Sequence, residues 1–257
     1  MFKKLLLFLA FFVIVAGAAY TLRSSVFFSN GNTTANLTQD ETEEATQTEA
    51  LAQEPSIHIV RFSPTNTVAQ ILYRSPPQFV SEWRGVSAEE IIVNGGYFHE
   101  DYSPSGFLVV DGKRVGSRMF DADKSGLLVV QNGRVSIRDL GKFPLKKEER
   151  FDGVLQSYPF LIKNSQPGIR EDSGKVARRT AIGMDREGML YIIVVPSREI
   201  SLFALMNELL ATGIPFVSVL NLDGGPSTGI SGNWNGQTFG NDSIVPVPSV
   251  VTFKKKI

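Results

Sequence analysis

Three short segments of this chain carry residue types that handle phosphates and acid–base chemistry. They are Asn94-Gly95-Gly96-Tyr97-Phe98, Arg179-Thr180-Ala181-Ile182-Gly183, and Asn221-Leu222-Asp223-Gly224-Gly225-Pro226-Ser227-Thr228. Each joins an apolar run to small or polar residues, so each puts them where a strand ends. Glycine pairs there let the backbone turn with positive φ and let a ligand come close to the main chain. Exposed N–H groups in such turns form a concave anion site. A fixed arginine adds a bidentate grip on phosphate. Asp223, between an apolar strand and a Gly-Gly turn, can serve as base, acid or nucleophile if its surroundings tune it. Together these groups make a site suited to a phosphorylated substrate. Taken singly, each has a plainer reading. A Gly-Gly pair is usually a turn, Arg179 can be a surface residue, and Asp223 can cap a helix near Pro226. Arg178 and Arg179 are adjacent on a strand, so one of them points inward.

The elements that position these segments are mostly short β-like runs. Ile57 to Phe62 and Val68 to Tyr73 alternate around Ser63-Pro64-Thr65-Asn66, a hairpin-like connection. Pro76 to Val86 reads as a short helix with Phe79, Val80 and Trp83 on one face. Asp111-Gly112 and Asn132-Gly133 are two-residue hairpin turns, and their hairpins look like a meander. Strands are expected on both sides of Tyr158-Pro159, and Arg179 to Met184 pairs with Leu190 to Val195. Ser201 to Ala211 is the best helix, capped by Ser201 and ended by Gly213. Val217 to Leu222 is a continuous apolar run, hence a central strand that leads straight into Asp223. Ile244 to Phe253 contains Pro246 and Pro248, which predicts an edge strand. The expected fold is α+β: a mixed, mostly antiparallel sheet with a few packed helices, preceded by one N-terminal membrane helix and a disordered linker.

Composition narrows the function classes. Lys plus Arg equals Asp plus Glu at 26 each, which argues against a nucleic-acid partner. There is no cysteine, so disulfides, thiolate zinc sites, a cysteine nucleophile and a lipoprotein anchor are excluded. With two histidines, His58 and His99, a multi-histidine metal site is ruled out in practice. No acidic cluster has calcium-loop spacing; Asp121-Ala122-Asp123 could hold a metal only weakly. No metal and no cofactor are therefore implied.

The N-terminus reads as a membrane address. Lys3 and Lys4 precede Leu5 to Leu22, 18 residues without a charge, and Arg23 closes the run. A helix of that length rises about 27 Å, close to the bilayer hydrocarbon thickness. Residues 1–23 are a signal anchor, or a signal peptide cut after Ala16-Gly17-Ala18. Either puts residues 56–257 outside the membrane, in the periplasm or at the cell surface. Residues 24–55 are Thr-rich, and every charge from Asp40 to Glu54 is acidic, which predicts a disordered tether.

In their order along the chain, N-G-G-Y-F, R-T-A-I-G and L-N-L-D-G-G-x-S-T resemble the phosphodiester glycosidase family over roughly residues 57 to 253. Gln156-Ser157-Tyr158-Pro159-Phe160-Leu161 also looks like the family's pattern. Pro226 departs from it, standing where a third glycine is usual and removing one N–H. The resemblance implies a hydrolase that cleaves a sugar from a glycosyl-1-phosphodiester, in envelope glycan, capsule or a lipid-linked sugar. It implies a site lined by Asn94, Gly95, Gly96, Tyr97, Gln156, Thr180, Gly224, Gly225, Ser227 and Thr228. Arg179 and the glycine N–H groups would bind the phosphate, and Asp223 would be the catalytic carboxylate. A second carboxylate, which glycoside hydrolysis normally uses, would be Glu100 or Asp101. His99 is a candidate acid or base, His58 a structural residue, and Trp234 a candidate for stacking on the sugar. The alternative is a non-catalytic envelope polysaccharide-binding protein on the same fold. A structural protein of an export machine would need an exposed apolar face, which the sequence lacks. Oligomeric state is open.

Overall fold

The computed structural model describes residues 56–85, 87–116 and 124–256. The expected membrane segment, the linker and the Asp121-Ala122-Asp123 acidic pair lie outside the described residues. Sixteen strands, numbered in chain order, form three sheets. The first sheet runs β1 (His58–Phe62), β12 (Leu190–Ser201), β11 (Val176–Asp185), β13 (Phe216–Asn221), β9 (Phe160–Lys163), β10 (Gln166–Pro167). The second runs β15 (Gln237–Asn241), β14 (Ile230–Trp234), β3 (Glu90–Asn94), β16 (Val247–Lys255), β2 (Thr67–Gln78). The third runs β5 (Lys113–Val115), β4 (Leu108–Val110), β8 (Gly153–Ser157), β6 (Gly126–Gln131), β7 (Arg134–Asp139). Every pairing between these strands is antiparallel.

One face of each sheet turns into a shared core. Phe62, Ile182 and Ile192 come from the first sheet, Val93, Trp234 and Phe253 from the second, Leu128 and Leu155 from the third. The outer faces are covered too. Helix α1 (Leu202–Ala211) lays Leu205, Met206 and Leu209 on Tyr191, Ile193 and Val195 of β12. A 3-10 turn, Val80–Trp83, places Val80 and Trp83 over Ile92 and Val250 of the second sheet. Leu140 packs with Val109, Leu127, Val129 and Val154 on the third. Alternate residues of β12 thus enter different cores. A strand buried on both faces must be apolar throughout, which is why it reads as a continuous run.

The fold is therefore mostly β, with one α-helix among the described residues, and not α+β with several packed helices. The helix expected at Pro76–Val86 is instead the end of β2 followed by the 3-10 turn. Pro76 and Pro77 fit there because β2 is an edge strand. Ile57–Phe62 and Val68–Tyr73 do not form a hairpin: β1 pairs with β12 and β2 with β16, so the connection crosses between sheets. Both two-residue hairpins form, with positive φ at Asp111, Gly112, Asn132 and Gly133. They are not a meander, because fully buried β8 pairs with β4 on one side and β6 on the other. β16 is internal rather than an edge. Pro248 is tolerated at a register shift between Val247 and Ser249, where no ladder N–H is required. Helix α1 starts at the Ser201 cap, whose hydroxyl accepts from the Ala204 N–H at 3.1 Å, and stops before Gly213 at φ +75°.

Phe62 lies between Trp234 and Phe253, with ring centroids 4.6 and 4.8 Å away, where the three sheets share their core. Phe62→Ala should cost about 3–5 kcal/mol of unfolding free energy, read by urea titration. A loss under about 1 kcal/mol would show that this ring is not a keystone of the core.

Candidate active site

The C-terminal ends of β3 and β13 meet the middle of β11, so Arg179–Gly183 lies within a strand and not at the strand end expected for it. Asn94, the last residue of β3, is fully buried. Its side-chain N–H donates to the Asp223 carbonyl at 2.8 Å. Its amide oxygen accepts from the Thr180 hydroxyl at 2.6 Å and from the Gly229 N–H at 3.2 Å. Two backbone bonds run parallel to these: Leu222 N–H to the Thr180 carbonyl at 2.8 Å, and Asp223 N–H to the Gly95 carbonyl at 3.2 Å. One amide thus ties the start of the Asp223 loop, its far end and β11 to the end of β3.

The glycines are explained by backbone packing. A Cβ on Gly95 would stand 2.9 Å from the Ser249 backbone, and the Gly95 N–H already donates to the Ser249 carbonyl at 2.8 Å. What approaches this glycine is β16, not a ligand. Gly225 has φ +61°, which a side chain disfavours. Gly225–Ser227 form a 3-10 turn with Pro226 in its first turn, where no intrahelical partner would exist for an N–H. The arginines divide the work. Arg178 donates through Nε to the Gly225 carbonyl at 3.0 Å and through Nη2 to the Pro226 carbonyl at 3.1 Å, bracing the turn. Arg179 donates through Nε to the Ile200 carbonyl at 2.9 Å and through Nη2 to the Lys175 carbonyl at 2.8 Å. Simple alternation does not hold at this pair, because the register with β12 shifts between Ala177 and Arg179.

Asp223 accepts from the Gly224 N–H at 2.8 Å and is also bonded by the Ser227 side chain. Burial nonetheless dominates and pushes its carboxyl up to about 6. The Tyr97 phenol sits in the field of both Asp223 and Arg179. Burial first, then the Asp223 charge, raise it above the usual tyrosine range, while Arg179 and Asn221 oppose the rise. It stays protonated, donating to the Tyr158 carbonyl at 3.0 Å and accepting from the Asn221 amide at 2.7 Å. Burial lowers the Arg179 pKa, with Tyr97 and Glu199 opposing. One phenol thus feels both a half-buried carboxyl and a guanidinium fixed by two backbone carbonyls.

The structure brings Asn94, Gly95, Tyr97, Arg179, Thr180, Asp223, Gly224 and Ser227 into this one region. Several of them serve as struts. Thr180 is spent on Asn94, and the Gly224 N–H on Asp223. Gln156 is buried, its amide bonded to the Phe107 N–H and the Lys124 carbonyl. Gly96 lies against Leu155. Thr228 is fully buried, and among the described residues its hydroxyl has no partner. The 97–105 loop closes on itself through Phe98 and Pro104. In it the Asp101 carboxylate accepts from the Ser103 hydroxyl and N–H, which lower its pKa. Glu100 is exposed, and no described contact joins Glu100, Asp101 or His99 to Asp223. His99 Nε2 is buried without a partner among the described residues.

Trp234 must be corrected. It is not in a loop but ends β14, 7% exposed, against Phe62 in the shared core, so it cannot stack on a sugar. The segment around it is a hairpin turned at Asn235-Gly236, whose inward face the sheet buries. His58 is structural, bonded to Asn241 at 3.0 Å and packed on Phe239. Sequence reading gave no role to Asn221, Ser157, Arg178 or Glu199. Asn221 bonds Tyr97 and the Tyr158 carbonyl, and its own carbonyl accepts from the Ser157 hydroxyl at 2.6 Å. The signal available was the Gln156–Leu161 segment, which holds Ser157 and Tyr158. Glu199 is brought beside Arg179 only by the sheet. Among the described residues no group of three or more His, Asp or Glu could hold a metal ion, and no helix is long and apolar enough to cross a membrane.

Comparison with known proteins adds the following. A family model described as phosphodiester glycosidase matches residues 87–254, more than half of the chain. No curated protein matches. The catalytic domain of zebrafish N-acetylglucosamine-1-phosphodiester alpha-N-acetylglucosaminidase, auto-inhibited by its pro-peptide, has the same fold. Its TM-score is 0.58 at 17% identity, covering 80% of this chain and 85% of that one. A hypothetical protein from Synechocystis aligns at TM-score 0.45 and 16% identity, over 77% of this chain and 59% of that one.

Two measurements check the geometry. Asn94→Ala strands the Thr180 hydroxyl, the Gly229 N–H and the Asp223 carbonyl, and should cost about 3 kcal/mol in chemical denaturation. The second concerns Asp223, whose folded pKa of about 6 exceeds the unfolded value of about 4. Its stability contribution is therefore complete below about pH 4 and lost as pH rises through about 6. Relative to the parent, Asp223→Asn should gain about 5 °C in Tm between pH 4 and pH 8, then stay level. A Tm difference that does not change with pH would mean Asp223 is not desolvated.

Proposed function

The chain belongs to the phosphodiester glycosidase family, and from that premise we propose that it hydrolyses the bond between a sugar's anomeric carbon and the oxygen of a phosphodiester. The observation that carries this reading is a desolvated carboxyl at about 6 and a guanidinium held by two backbone carbonyls, both close enough to act on the Tyr97 phenol. Arg179 has spent two of its donors on those carbonyls, and an anion would take N–H groups from the rest of the fork. Asp223 is oriented by the Gly224 N–H and Ser227, two donors that hold the ionised form in one place.

In this mechanism the substrate phosphate lies against Arg179, with the anomeric carbon near Asp223. As the glycosidic C–O bond breaks, the electron pair leaves on the phosphate oxygen. A phosphodiester is a good leaving group, so little acid assistance is required. The growing positive charge on the sugar is stabilised by the ionised Asp223. Water then completes the reaction, either activated by Asp223 or attacking a sugar bonded to it; the anomer first released distinguishes the two. The products are the free sugar and a phosphomonoester.

The cellular setting in this reading is the envelope. Support comes from the charge-free run of 18 residues after Lys3 and Lys4 and from the acidic, Thr-rich stretch that follows. Residues 56–257 would then act outside the membrane on an envelope glycan, capsule or lipid-linked sugar.

The test is release of free sugar from a panel of glycosyl-1-phosphodiesters, nucleotide sugars included. The parent should release sugar, and Asp223→Asn should be at least about 100-fold slower. With Asp223 acting ionised, kcat/KM should rise through pH 6 and level off above it. Unchanged turnover in Asp223→Asn removes Asp223 from the mechanism. Sugar binding by the parent without turnover of any substrate identifies a binding module instead.

A further inference from the structure

The sugar-stacking role does not belong to Trp234, yet an aromatic ring does stand at the site. Tyr158 is 41% exposed, although it stands between buried Ser157 and half-buried Pro159, whose backbone is tied down. Its carbonyl accepts from the Tyr97 phenol at 3.0 Å and from the Asn221 amide at 3.2 Å. The next residue, Pro159, accepts the Asn221 N–H at 3.0 Å. The Tyr158 ring leans on the Tyr97 ring, with centroids 5.2 Å apart at 43°, and the Lys124 ammonium sits 5.3 Å from its centroid. An isolated exposed aromatic is ordinary on a protein surface. This one is fixed by the same amide, Asn221, that holds the phenol on which Asp223 and Arg179 both act.

We propose that Tyr158, backed by Tyr97, is a carbohydrate subsite: a platform for the apolar C–H face of the pyranose whose anomeric carbon lies at Asp223. The assignment rests on the hydrolase reading for the direction of the substrate. Arg179 reaches the site from β11 and takes the phosphate, and the aglycone extends beyond that phosphate. Tyr158 enters from the opposite neighbour, the connection between β8 and β9. A sugar joined to the phosphate at Asp223 projects past Tyr97 toward it. The exposed ring supplies the flat apolar surface that a pyranose needs, and its rigid backbone means that little ordering accompanies binding. The platform thus selects the sugar and leaves the aglycone free.

The experiment measures binding and turnover separately, with the full-length protein. Saturation-transfer NMR with methyl α-pyranosides and sugar-1-phosphates reads binding whether or not the protein is an enzyme. Tyr158→Ala should weaken sugar binding about tenfold, whereas Tyr158→Phe and Tyr158→Trp, which keep a ring, should stay within about twofold of the parent. In kinetics, Tyr158→Ala should raise KM about tenfold with kcat nearly unchanged, and the loss should follow changes of sugar rather than of aglycone. Equal sugar binding by parent and Tyr158→Ala, or a loss that follows the aglycone, overturns the subsite and leaves the hydrolase reading standing. Binding that depends on Tyr158 without any turnover upholds the subsite and removes the hydrolase. A parent that binds none of these sugars overturns the subsite outright.

Discussion

The site depends on one buried amide. Asn94 contacts three separate parts of the chain: Thr180 on β11, the carbonyl of Asp223, and the N–H of Gly229. Asparagine suits this position because it offers a donor and an acceptor from one rigid plane. A carboxylate there would lose the donor and bring an unpaired charge into a dry interior. Through Asn94, the end of a strand in one sheet fixes the loop that follows a strand in another. The catalytic candidate therefore inherits its position from the meeting of two sheets, not from its own loop.

The same crowding accounts for the small residues around it. β16 passes so close to Gly95 that no side chain fits, and the Arg178 carbonyl lies 2.8 Å from where a Gly224 Cβ would be. Arg178 spends its donors on the carbonyls of Gly225 and Pro226. These contacts hold the turn in a shape that presents the Asp223 carboxyl to Ser227 and the Gly224 N–H. Pro226 costs little in such a turn, since the N–H it lacks would have had no helical partner.

The electrostatics follow from that placement. Asp223 is covered well enough for burial to outweigh two hydrogen bonds, which leaves its carboxyl close to the neutral range. Tyr97 feels both that carboxyl and Arg179 and keeps its proton under the combined effect of burial and the nearby negative charge. Among the described residues no ion pair joins Asp223 to Arg179, whose Nε and Nη2 are committed to backbone carbonyls. Asn221 orients the phenol from beneath and ties it to the Tyr158 backbone.

Local rules were enough for part of this. Helix α1 was legible because its cap, its apolar stripe and its terminating glycine are all local. The hairpins at Asp111-Gly112 and Asn132-Gly133 were legible because positive φ at two adjacent positions selects those residue types. Asp223 could be picked out because an apolar strand ends there in glycines. Partnership between strands was not legible. β1 and β2 are adjacent in sequence yet lie in different sheets, and β16 is internal despite Pro248. Such choices are made by which apolar faces can be buried together, a non-local sum that no short window contains. Trp234 in the core and Tyr158 at the surface reverse what their neighbours suggest, since the sheet decides which face is covered. Residue types and local pattern were enough to pick out which residues could do chemistry and where most strands lie, though not where β2, β11 and β12 end. Which of them are struts and which face the site depends on hydrogen bonds and close approaches between residues more than a hundred positions apart, which only folding brings together.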